Sequence, residues 1–344
     1  MTRVSYTAYE TSSGGKIHRI PLQAFPKFWA YVYVVQHNDN IYLIDTGSGT
    51  DTSHEDLLNG LQQAGLQPSD LTHILLTHAH IDHYGGLTKL KPLCSAKIIC
   101  HELDVQTVAH HEARLAHISR RLASFLAESG LAKEEADSLL SIYRFMKALY
   151  QSIPVDFVYT QFSGPFDIIH LPGHCPGHVA LRLDNVIFCG DMVVEGVTPN
   201  ISPESINPYS GLDHYLESLE KLRDWAKGAR LILNGHDDVI TDLPAQIDST
   251  HKNIVRRMSK AISTLSEPLT ISEVCNIVYE NPSGYNQLLT IEKTGAYIEY
   301  LYEHAMIEIT NPNEVEQGLP AKYRVLREIG DDEILPKHKT SVVE

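Results

Sequence analysis

Three imidazoles and one carboxylate, His78, His80, Asp82 and His83, fall within six consecutive positions directly after the apolar run Ile74-Leu75-Leu76. The run is short and flanked like a buried strand, so the cluster sits where a strand ends. Neutral imidazole is the commonest ligand for zinc and related ions, and carboxylate suits the harder side of such a site. An open coordination position would make the ion catalytic. His78 and His80 are two apart, so extended backbone points both the same way; Asp82 and His83 follow on a turn and can face a second ion. Gly85-Gly86 then let the backbone pass close to the site. A lone histidine at a strand end is more often a packed or surface residue, and it is the grouping of ligand types at this spacing that reverses the odds.

Other apolar runs end in the same way. Phe28 to Val35 and Ile41 to Ile44 flank an Asn/Asp turn, a hairpin signal, and Asp45 follows them. A carboxylate there can accept from the far nitrogen of a metal-bound imidazole and fix its tautomer. Phe166 to His170 runs into Pro172-Gly173, which forces a turn and presents His174. Val186 to Cys189 precedes Asp191, whose two oxygens could bridge two cations. Leu231-Ile232-Leu233 delivers His236.

In chain order Ile44-Asp45-Thr46-Gly47, His78-x-His80-x-Asp82-His83, Leu171-Pro172-Gly173-His174-Cys175-Pro176-Gly177-His178, Cys189-Gly190-Asp191 and Asn234-Gly235-His236 resemble the landmarks of the metallo-β-lactamase superfamily. The resemblance covers roughly the first 240 residues. It implies an α/β fold, a four-layer αββα sandwich, and two divalent metal ions, zinc foremost with manganese or iron as alternatives. His78, His80 and His174 would hold one ion, Asp82, His83 and His236 the other, and Asp191 would lie between them. Asp45 would orient an imidazole, and His178 would support its loop. Cys175 stands where the family often has threonine. The resemblance puts the loop around Pro26 to Trp29 near the mouth of the site, with a plain core role for Phe28 and Trp29 as the alternative. Tyr209 is a candidate substrate contact by analogy with lactonase-like relatives, against the alternative of a packed or surface tyrosine.

The expected function is metal-dependent hydrolysis of a small ester, lactone or thioester, because the PGHxPGH loop resembles thioesterases and lactonases more than β-lactamases. A metal-bridging hydroxide would be the nucleophile, since coordination can lower the pKa of water from about 15.7 to about 7, and Asp82 would pass a proton to the leaving group. Alternatives are a phosphodiesterase, a mononuclear iron enzyme of the persulfide-dioxygenase type, and a metal-containing regulatory binding protein.

The 344 residues exceed one average domain. Residues 1–245 read as the metallo-β-lactamase-like domain, with a helical insert at about 102–152. The insert reads as a cap that selects substrate, or alternatively as a dimer face; His110, His111 and His117 on it read as surface histidines. Residues 246–330 read as a small winged-helix-like C-terminal domain, three helices and a two-stranded hairpin, and 331–344 as a loose polar tail. A formal charge of −15 argues against nucleic acid as a partner. The five cysteines form no CxxC pair and outline no disulfide framework. No apolar run is long enough for a bilayer, so a cytoplasmic protein with a small-molecule substrate is expected, with homodimerisation open.

Overall fold

A computed structural model describes residues 5–196 and 198–335. Its first sheet runs in sequence order through β1 (Thr7–Glu10), β2 (Lys16–Phe25), β3 (Phe28–His37), β4 (Asn40–Ile44), β5 (His73–Leu75), β6 (Lys97–Cys100) and β7 (Phe157–Val158). The β1 to β4 pairs are antiparallel, while β4, β5, β6 and β7 run parallel. The second sheet is ordered β11 (Leu231–Leu233), β10 (Val186–Phe188), β9 (Val179–Leu183), β8 (Asp167–His170). Here β8 and β9 are antiparallel, as are β9 and β10, whereas β10 and β11 are parallel. Strands β8, β10 and β11 therefore all point the same way, as β4 and β5 do in the first sheet.

Side-chain alternation along these strands makes the layers. On β3, Val32 and Val34 pack with Leu57 and Leu61 of α1 (Asp51–Gln63), near α2 (Ile81–Tyr84) and with Leu87 and Leu90 of α3 (Leu87–Leu90). Tyr31, Tyr33 and Val35 face the other way and meet Leu181, Leu183, Val186 and Phe188 of the second sheet. A period of two thus gives one face to helices and one to the opposing sheet. The outer face of the second sheet carries Ala180, Ile187 and Ile232.

The helical insert is α4 (Val105–Ala109), α5 (His111–Glu128) and α6 (Lys133–Lys147), with α5 and α6 separated at Ser129-Gly130. Next come α7 (Leu212–Trp225), α8 (Leu243–Thr264), α9 (Ile271–Tyr279) and α10 (Gly284–Glu303), then the hairpin β12 (Ile307–Ile309) and β13 (Tyr323–Val325) with α11 (Pro312–Val315) in its connection, and α12 (Asp331–Ile334). Thr270 caps α9 through a capping box with Glu273, which satisfies two orphan donors at the helix start. The expected C-terminal helices and hairpin are all present.

Three details differ from the sequence reading. The boundary placed between residues 245 and 246 falls inside α8, because Asp242 caps that helix and Pro244 sits in its first turn, where proline is tolerated. Ile118, Leu122 and Leu139 of the insert, Tyr215 of α7, and Leu288 and Ile291 of α10 share one core with the second sheet. The tail starts ordered: Ile334 is buried and its carbonyl accepts from Tyr300, while positions 336–344 lie outside the described residues. No helix among the described residues is long and apolar enough to cross a membrane.

Candidate metal centre

Each ligand candidate stands just past the C-terminal end of a strand, the edge where open α/β sheets place their sites. Asp45 follows β4, His78 and His80 follow β5, His174 follows β8, Asp191 follows β10 and His236 follows β11. Two groups of donors result. In one, atoms of His78, His80, His174 and Asp191 lie within 4.8 Å of one another; in the other, atoms of Asp82, His83 and His236 do.

Asp191 joins the groups. Its Oδ2 is 3.8 Å from His78 Nε2, 3.6 Å from His174 Nε2 and 2.9 Å from His236 Nε2, and its Oδ1 is 3.3 Å from His83 Nε2. Asp82 Oδ2 lies 3.5 Å from His236 Nε2 and 3.9 Å from His83 Nε2. The expected grouping of His78, His80, Asp82, His83, His174, Asp191 and His236 is thus reproduced in space.

The tautomers follow from the partners on the far side of each ring. His174 Nδ1 is 2.7 Å from the Asn200 carbonyl and His236 Nδ1 is 2.8 Å from the Trp29 carbonyl. A carbonyl only accepts, so each Nδ1 carries a hydrogen and Nε2 is the ring atom left to face a cation. Asp45 does the same for His83, whose Nδ1 donates to Oδ2 over 2.8 Å. The carboxylate also accepts from the Thr77 backbone N–H at 2.8 Å and the Thr77 hydroxyl at 2.7 Å. With its proton spent on Asp45, Thr77 Oγ1 accepts from His78 Nδ1 at 3.0 Å. Four Nε2 atoms therefore face inwards, and a cation would take the place of any proton on them.

Electrostatics agree. Burial holds His78, His80 and His174 below the usual imidazole range. Burial pushes His83 and His236 the same way, but there Asp191, helped by Asp45 and Asp82, wins: His83 is held well above its ordinary value and His236 is raised to about 8. Burial would raise the Asp191 carboxyl, yet His236 and His83 hold it well below its ordinary value. Carboxylates crowded around the second group thus favour positive charge there. His174 Nε2, buried, has no hydrogen-bond partner among the described residues. An inward-facing orphan lone pair and a donor set of imidazole and carboxylate fit divalent cations.

The backbone leaves little room for change. A Cβ on Gly235 would stand 2.2 Å from Asp191 Oδ1 and 2.8 Å from His83 Cε1. At Gly173 φ is +125° and a Cβ would meet the Tyr215 backbone at 2.4 Å, so only glycine turns the chain into His174. His178 keeps its expected supporting role: its Nε2 accepts the Asp191 backbone N–H at 3.1 Å.

A cavity of about 940 Å³ opens over the centre. Phe25, Pro26 and Phe28 line its mouth, and the Phe28 ring lies 4.7 Å from that of His236. The insert contributes residues including Arg114, Ile118, Tyr143 and Lys147, and the C-terminal helices Arg257, Tyr285 and Glu292. Tyr209 does not reach the cavity. It is half exposed, with φ +65°, and its ring lies beside His214, 6.1 Å between centroids.

The sequence reading missed three participants. His111 is buried rather than on the surface: Tyr84 Oη lies 2.9 Å from its Nδ1, and its Nε2 lies 2.9 Å from the Lys147 carbonyl. Asp104, buried beside the cavity, accepts from the Gly177 N–H and braces the His174 loop; burial raises its pKa to about 7. Glu292 accepts from Asn200 Nδ2 and Ser202 Oγ, tying α10 to the loop whose carbonyl orients His174. The only signal for these was a polar residue inside an otherwise helical apolar pattern.

Comparison with known proteins gives the same reading. Residues 30–236 match the family model for the metallo-beta-lactamase superfamily. A probable metallo-hydrolase, YqjP of Bacillus subtilis, is 25% identical over 286 residues, covering 78% of this chain and 86% of that protein. A hydroxyacylglutathione hydrolase of Shewanella baltica is 24% identical over 175 residues, 51% of each chain. In fold, the metallo-beta-lactamase family protein TTHA1429 of Thermus thermophilus superposes with a TM-score of 0.71 at 23% identity, over 90% of this chain and 98% of that one. With the family model spanning more than half of its length, the chain belongs to the metallo-β-lactamase superfamily.

Proposed function

We propose that the protein is a dinuclear metal-dependent hydrolase acting on a small ester, lactone or thioester. The observation that carries this reading is the convergence of two donor groups on one carboxylate, Asp191, under a cavity of about 940 Å³. Two divalent ions, zinc foremost, would be held by His78, His80 and His174 on one side and Asp82, His83 and His236 on the other. Bound there, they would supply a nucleophile at neutral pH and polarise the electrophile.

The remaining roles belong to the chain. Asp45, Asn200 and Trp29 hold imidazole tautomers so that no ligand reorients during turnover. Phe28 and the insert limit water at the reacting centre. Asp82, facing the cavity, would take a proton from the attacking water and pass it to the leaving group. A glyoxalase II-like thioester substrate is favoured by the similarity to a hydroxyacylglutathione hydrolase over half of the chain. The test is a panel of esters, lactones, thioesters and phosphodiesters on metal-loaded protein, with Asp82→Asn beside it. Turnover of a carbonyl substrate is expected, and Asp82→Asn, compared per metal-loaded chain because Asp82 is also a ligand candidate, should turn over at least about 100-fold more slowly, the low end of general acid–base contributions. Phosphodiester turnover alone would overturn the substrate class, and full activity of the variant would overturn the proton role.

A further inference from the structure

Four cationic side chains line the cavity: Arg114, Lys147, Arg257 and Lys293. Arg114 donates to the Asn207 side chain and Lys293 Nζ donates to the Thr198 carbonyl at 2.8 Å. Arg257 and Lys147 each lie over an aromatic ring, 4.8 Å over Tyr279 and 5.1 Å over Tyr143, and among the described residues neither cationic group makes a hydrogen bond or ion pair. Of these two, Lys147 is the one whose backbone is tied to the metal loop. The nearest carboxylate in electrostatic effect, Glu292, already accepts from Asn200 and Ser202 and makes no ion pair with it. Asp82 is the other carboxylate whose field reaches Lys147, so the ammonium sits within electrostatic range of the proposed metal centre.

The backbone at this position is anchored. Because the Lys147 carbonyl can only accept, His111 Nε2 carries the hydrogen, and His111 Nδ1 therefore accepts from the Tyr84 hydroxyl. Tyr84 directly follows the ligand candidate His83. A relay of two hydrogen bonds thus ties the last turn of α6, from which the Lys147 side chain extends, to the metal loop. A partly buried ammonium with an aromatic ring but no hydrogen-bonding or anionic partner carries a desolvation cost, which an anionic ligand would offset.

We propose that Lys147 recognises a carboxylate on the substrate, so that the cavity takes an acyl compound bearing an anionic group near the reacting carbonyl and an apolar body. The substrate clause rests on the hydrolase reading above; the anion site does not. Tyr84 and His111 anchor the backbone from which Lys147 extends.

The test compares binding of 4-phenylbutyrate and its uncharged amide, 4-phenylbutyramide, to the metal-loaded full-length protein by calorimetry, for wild type, Lys147→Met and Lys147→Arg. Wild type should favour the carboxylate over the amide, and Lys147→Met should reduce that preference at least tenfold, as expected for loss of a charge-assisted contact. Lys147→Arg should restore most of it. An unchanged preference in Lys147→Met, or no carboxylate binding by wild type, overturns the proposal. Failure of every ester, lactone and thioester in the hydrolysis panel would instead overturn the hydrolase reading, while the calorimetric ratio would still decide the role of Lys147.

Discussion

Asp45→Asn keeps side-chain volume and changes only the hydrogen-bond inventory. The carboxylate receives three donors: the Thr77 N–H on Oδ1, and the Thr77 hydroxyl and His83 Nδ1–H on Oδ2. An asparagine offers one oxygen and one NH2. With the amide oxygen beside the hydroxyl and imidazole, the NH2 opposes the Thr77 backbone N–H. With the amide reversed, the NH2 opposes the other two donors. An unpaired buried donor costs about 1–3 kcal/mol, and the residue is almost fully buried. The reversed amide can relax if the hydroxyl turns towards His78 Nδ1 and His83 moves its hydrogen to Nε2. Those moves heal the hydrogen bonds but take away the inward lone pairs of His78 and His83. Both routes weaken metal binding, by about 10–100-fold on the scale of other second-layer changes. Competition against a chromophoric chelator, with folding followed by circular dichroism, measures this. Wild-type affinity at every bound ion in a folded Asp45→Asn protein would refute the tautomer argument.

Three further predictions rest on the same geometry. In chelator, His236 holds a proton in the folded state up to about pH 8, against about 6.5 for the unfolded chain. Its contribution is therefore present below pH 6.5 and lost as pH rises through 8, an effect of about 2 kcal/mol. Thermal midpoints of metal-free protein should fall across that window, and His236→Asn should flatten the fall. Gly235→Ala should fold but lose metal at the His236 side, since the new methyl would overlap Asp191 Oδ1; elemental analysis reads it. Thr270→Ala removes the α9 capping box and should cost about 1 kcal/mol in urea unfolding without changing metal content.

What the sequence made legible was whatever repeats locally. The hairpin of β3 and β4, the capped α9 and each strand-end ligand depend on residues within a few positions, and the structure has them in the expected places. Long-range pairings were opaque. His111 looked like one of a run of exposed histidines because nothing near it in sequence announces Tyr84 or the Lys147 carbonyl. Glu292 reads as an ordinary helix-surface residue until α10 is laid against the 198–202 loop. Tyr209 was chosen by analogy alone. Its backbone is in the left-handed region and points the ring towards His214 rather than the cavity. The cavity itself is assembled from three segments far apart in the chain, so neither its size nor its cations could be anticipated.

Asp191 unites two donor groups, and on the proposed reading each would hold one ion. Metal content per chain of freshly purified protein, measured by elemental analysis for wild type and Asp191→Ala at equal concentration, tests it most directly. Two ions per chain in wild type, reduced in the variant, is the predicted result. A single ion that survives Asp191→Ala, or no metal in wild type even after incubation with zinc or manganese, would contradict it.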